Sequence, residues 1–66
     1  MNKVIGYRKM LGKTQSEMAK VFSISTQAYW QKENGKIRFS DEEKIIFKEL
    51  VKSIFPDITI DDIFFS

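Results

Sequence analysis

Three times in this chain a hydroxyl residue stands three positions ahead of a carboxylate: Thr14-Gln15-Ser16-Glu17, Ser40-Asp41-Glu42-Glu43 and Thr59-Ile60-Asp61-Asp62. The first backbone N–H groups of a helix find no partner inside it. In this pattern the hydroxyl accepts from one of them, and the acid reaches back to the N–H of the capping residue. The pattern therefore places three helix starts. The third is the weakest, because Asp is a poorer reciprocal partner than Glu. Ser25, ahead of Thr26-Gln27-Ala28, offers the cap without the acid and marks a fourth start. Asn34-Gly35 supplies a stop, since glycine enters the left-handed conformation that ends helices. The same dipeptide can turn a hairpin, but no alternating strand precedes it. Pro56 ends whatever runs up to Phe55.

Between these marks the apolar residues keep helical spacing. Val4, Tyr7 and Leu11 share one face, as do Met18, Ala19 and Phe22. Ile46, Leu50 and Ile54 form a stripe with Phe47 and Val51 beside it. The expectation is an all-α fold of five short helices, near residues 2–11, 15–22, 26–34, 41–54 and 60–65, in one domain spanning 1–66. A chain of 66 residues needs every apolar stripe for its core.

Cysteine and histidine are both absent. Disulfides, thiol chemistry and the usual zinc ligands go with them, as does the commonest general base. The carboxylates are scattered, so no nucleophile–base pair presents itself, and an enzyme is not expected. Asp57, Asp61 and Asp62 lack the oxygen count and glycine of a calcium loop, and read as caps and solvated surface. No metal, cofactor or small-molecule substrate is implied. No apolar run approaches the roughly 20 residues of a membrane span, and the first eight residues lack a signal-peptide core. These features lead to the expectation of a cytoplasmic protein with no membrane partner.

The net charge of +2 conceals a division. Residues 1–38 carry eight basic and two acidic side chains, a net +6; residues 39–66 carry three basic and seven acidic, a net −4. Such asymmetry suits a chain whose first half faces a polyanion, although solvated charge distributed by chance would look the same.

The stretch from Thr14 to Gly35 reads as two short helices joined by a tight turn, a helix-turn-helix. In the second helix, at about 100° per residue, Gln27 and Gln31 lie about 160° from Tyr29, the evident inward anchor. Two amides four residues apart thus point outward together. They are either ordinary solvated glutamines or readers of base edges in a major groove, with Thr26 adding a hydroxyl or methyl contact. Glu33 lies near the inward face and needs a partner there. Arg8 on the first helix is the best candidate for a structural ion pair.

The run from Arg8 to Ala19, with Thr14-Gln15 followed by Met18-Ala19, resembles the opening of the Cro/repressor-type helix-turn-helix family. Ile24-Ser25 and Glu33-Asn34-Gly35-Lys36 resemble its later signatures, and the spacing is kept over residues 4–54. The resemblance implies a lambda-repressor-like fold and sequence-specific binding to a double-stranded DNA operator. It implies that Gln15 binds a phosphate and buttresses the reading helix, that Asn34, Lys36 and Arg38 hold the DNA backbone, that Thr26, Gln27 and Gln31 face bases, and that Arg8 and Glu33 form the inter-helix ion pair. Three positions depart from the pattern. Ser23 stands where glycine is common, Lys32 where an apolar residue is common, with its amine expected to snorkel out, and Lys13 replaces another apolar residue.

The tail from Phe55 to Phe65 resembles the ends of small phage regulators of low-GC Gram-positive hosts, both Cro-like proteins of the lytic/lysogenic switch and modulators of repression. The partner is accordingly an operator, a second copy as a homodimer, or a phage repressor; antitoxin-type regulators share the fold. Ile63, Phe64 and Phe65 are either core or a partner interface. Trp30, on the flank of the second helix, is assigned with them, and packing under the neighbouring loop or touching the DNA backbone are its alternatives.

Overall fold

In the computed structural model, which describes residues 3–65, five helices and no strand occur among the described residues. They are α1 (Val4–Met10), α2 (Gln15–Val21), α3 (Thr26–Glu33), α4 (Asp41–Val51) and α5 (Ile60–Phe64). None is long and apolar enough to cross a membrane.

Hydroxyl caps open four of the five. Thr14, Ser25, Ser40 and Thr59 each accept a hydrogen bond from the backbone N–H three residues on, at 3.1 Å. Glu17, Glu43 and Asp62 return the bond to the cap N–H at 2.8, 2.8 and 3.0 Å. These carboxyls are held below their ordinary pKa. For Glu17 and Asp62 the cause is the hydrogen bonds with Thr14 and Thr59; for Glu43 burial opposes the shift, and bonds from Lys32 and Ser40 outweigh it.

Three helices end in the same way. After α1, α2 and α3 the chain enters the left-handed region at Gly12 (φ 71°), Ser23 (φ 59°) and Gly35 (φ 79°). The next N–H reaches back over the last turn: Lys13 to the Arg8 carbonyl, Ile24 to Ala19 and Lys36 to Gln31, at 3.3, 3.0 and 2.8 Å. This is the Schellman closure, which satisfies otherwise orphaned carbonyls. Glycine takes the conformation freely, whereas Ser23 adopts it against the steric preference of an L side chain.

The core is one cluster of Val4, Met18, Ala19, Phe22, Tyr29, Phe39, Phe47, Val51 and Ile63. Phe22 stacks on Tyr29 with centroids 6.0 Å apart, and Phe39 meets both rings edge-on. Phe64 continues the chain of rings from Phe39 to Phe47, at 5.3 and 5.9 Å. α2 and α3 pack closely together, while α5 joins α4 to α1. The Lys3 N–H also bonds the Ile63 carbonyl, tying the two ends of the described chain.

Two expectations about α4 change. The helix closes at Val51 rather than continuing to residue 54, and residues 52–54 form turns in which the Ser53 hydroxyl bonds the Leu50 carbonyl at 2.7 Å. Its core stripe is Phe47 and Val51, one turn apart, with Leu50 packed beside them. Ile46 and Ile54 stay partly in water at 40% and 39% exposure. The helix is rotated toward its aromatic residue, because Phe47 is the side chain that meets Phe64.

Candidate functional site

The inner face of α3 is held by one carboxylate. Glu33 is almost fully buried, and every donor it needs comes from a side chain. Arg8 Nε of α1 donates to Oε2 at 2.7 Å and Nη2 to Oε1 at 3.4 Å. Gln15 Nε2 of α2 donates to Oε1 at 2.8 Å. The Tyr29 hydroxyl, one turn earlier on α3, donates to Oε2 at 2.7 Å. Burial works against the Glu33 charge, but these bonds outweigh it and hold the carboxyl below its usual pKa. Burial and the bond to Glu33 push the Tyr29 phenol up, so it remains a donor at neutral pH. The bond to Glu33 raises the Arg8 pKa. Arg8 Nη1 also donates to the Lys13 carbonyl at 2.9 Å, closing the α1–α2 turn onto the same cluster. Three helices therefore meet at one buried anion.

The outer face of α3 is polar. Thr26 and Gln27 are exposed in its first turn, and Gln31, one turn beyond Gln27, is half-buried. Trp30 lies on the flank with 42% of its surface in water, and Lys36 Nζ sits 5.9 Å from its ring centroid. The loop beyond Gly35 carries Lys36 and Arg38, both exposed and without a carboxylate partner among the described residues. The fold thus places amides, a hydroxyl and an indole on α3 and follows them directly with two unneutralised cations. Such a surface offers hydrogen-bond donors and acceptors together with positive charge.

Not every expected site residue lies as the sequence suggests. Gln15 turns an amide hydrogen inward onto Glu33, keeping its carbonyl oxygen and second amide hydrogen for other partners. Asn34 Nδ2 bonds the Trp30 carbonyl at 2.9 Å, so its amide also caps the end of α3. The Lys32 amine does not snorkel into water. It pairs with Glu43 Oε1 at 2.7 Å, pinning α3 to the start of α4, because the carboxylate already bound to the Ser40 N–H faces it there. Ile63 leaves the interface set, since it is fully buried in the core. Phe64 is half-buried against Phe39 and Phe47, and Phe65 alone of the three is widely exposed, at 66%.

Gln15 braces α3 through Glu33, the atom-level partner that the sequence left unspecified. Sequence reasoning missed Tyr29 as a partner of Glu33, for which their spacing of one helical turn was the available signal. It also missed Lys44, whose amine stands 4.8 Å from the Phe65 centroid and 6.0 Å from that of Phe64. Comparison with known proteins brought no match to a family, a curated sequence or a solved structure.

Proposed function

We propose that this chain binds double-stranded DNA sequence-specifically as a transcriptional regulator, with α3 as the reading helix of a helix-turn-helix formed by α2 and α3. The observation that carries the proposal is the two-sidedness of α3. Its inner face is locked by Tyr29 and Glu33, while its outer face presents Thr26, Gln27 and Gln31 beside the unpaired Lys36 and Arg38. An amide side chain pairs two-fold with adenine N6 and N7 in a major groove, and basic residues flanking the helix hold phosphates. Gln27 ranks first because helices of this kind contact base edges through their N-terminal residues. Lys36 and Arg38 supply the salt-dependent part of the affinity. The resemblance of residues 4–54 to Cro/repressor-type regulators extends the proposal to one arm of a phage lytic/lysogenic switch.

Selection from random duplexes at moderate salt tests this directly. The wild-type chain should enrich one motif. Gln27→Ala should weaken the best site by about 1–3 kcal/mol and relax preference at one base pair. Failure to enrich any motif rejects DNA reading; an unchanged motif with Gln27→Ala rejects this placement of the groove-facing surface.

A further inference from the structure

A cleft of about 360 Å³ opens between the loop after α3, the start of α4 and the end of α5. Ile37, Arg38, Phe39, Lys44, Phe64 and Phe65 are among the residues that line it. Its walls are aromatic: Phe39 belongs to the core, Phe64 packs against it, and Phe65 stands largely in water. Its charge is positive. The Lys32 amine at its edge is neutralised by Glu43, but Arg38 and Lys44 have no carboxylate partner among the described residues. Lys44 is held over the Phe64 and Phe65 rings, so a cation and an aromatic face are presented together.

We propose that this cleft is a docking site for a short acidic peptide segment carrying one aromatic or large aliphatic side chain. The apolar side chain would enter between Phe39, Phe64 and Phe65, and flanking carboxylates would meet Lys44 and Arg38. An apolar concavity with a few convergent polar groups suits an inserted side chain better than a phosphate backbone, which gains nothing from aromatic walls. The described acidic segments of a second copy fit poorly. Glu43 is already bonded to Lys32, Ile63 beside Asp62 is buried, and Phe55, two residues from Asp57, packs edge-on against Tyr7 at 6.0 Å; Ile60 beside Asp61 is a half-buried alternative, and the concentration arm of the test covers it. The inference stands on the cleft alone and does not require α3 to read DNA.

The test is a titration of the full chain, ¹⁵N-labelled, with an eight-residue peptide of Asp and Glu containing a single central Phe. Amide shifts should concentrate at residues 37–39, at Lys44 and at Phe64 and Phe65. Replacing the peptide Phe by Ser, or its acids by Lys, should abolish the shifts. Lys44→Glu should weaken binding by about tenfold or more, and Phe65→Ala should weaken it several-fold; both side chains sit outside the buried core, and circular dichroism checks that the helices persist. Equal binding of the Phe and Ser peptides overturns the proposal in favour of diffuse charge attraction. Shifts of these amides with duplex DNA, or with protein concentration, but not with the peptide overturn it in favour of nucleic acid or a second copy.

Discussion

Replacing Arg8 by Met removes the guanidinium while keeping most of the largely buried aliphatic stem. Two good hydrogen bonds disappear: the 2.7 Å bond to Glu33 and the 2.9 Å bond to the Lys13 carbonyl. The 3.4 Å contact to Oε1 adds little at that length. A bond to a buried charge contributes about 1.5–3 kcal/mol and one to a neutral carbonyl about 0.5–1.5 kcal/mol. Breaking a buried ion pair from one side costs about 3–5 kcal/mol when the remaining charge is stranded. Glu33 is not stranded, because Gln15 and Tyr29 still donate to it. The expected loss is therefore about 3 kcal/mol, or about 12–24 °C in Tm for a domain of this size. The pH dependence identifies the cause. In the wild type the Glu33 pKa lies below its unfolded value, so its stabilisation is complete above about pH 5 and is lost as pH falls through the folded pKa. Without Arg8, burial acts on Glu33 with less opposition and its pKa rises. The gap between variant and wild type should then narrow from pH 7 to pH 3. Thermal and urea melts followed by circular dichroism at both pH values measure it. A Tm within about 4 °C of wild type at pH 7, or an equal gap at both pH values, would refute the ion-pair account.

Ser23→Gly should stabilise the chain by about 0.5–1 kcal/mol. Relief of the left-handed strain, about 1–2 kcal/mol, is offset by the greater unfolded-state freedom of glycine; a lower urea midpoint would show that the Ser23 side chain contributes more than its φ of 59° costs. Ile63→Ala should cost about 2–5 kcal/mol as a cavity in a full core, and a melt matching wild type would return Ile63 to the surface. Lys36→Ala and Arg38→Ala should each weaken binding to all duplexes alike and reduce the salt slope by about one; a loss confined to one base position would move either residue from phosphate to base contact.

The helix starts were legible in the sequence because capping is local. A hydroxyl and a carboxylate three residues apart need only their own backbone, and all four caps formed. The left-handed stop at Gly35 was legible for the same reason. Harder to see were arrangements that depend on how helices turn toward each other. The spacing of Ile46, Leu50 and Ile54 is as helical as that of Phe47 and Val51, and only the position of Phe64 selects between the two stripes. Lys32 looked like a side chain bound for water until the start of α4 brought Glu43 beside it. At the candidate site, the exposure of Thr26 and Gln27 follows from helical angle alone, whereas the inward amide of Gln15 depends on where α3 places Glu33.

The clamp at Glu33 also bears on what association costs. An isolated helix of eight residues would be mostly unfolded in water, and a partner would have to order it on contact. Fixing the backbone of one residue costs about 1–2 kcal/mol. Because α1, α2 and α3 converge on one carboxylate, that ordering is complete when the chain has folded. Whatever α3 meets, the encounter immobilises only the side chains at its rim, such as Gln27 and Trp30, and leaves the helix itself as rigid as before.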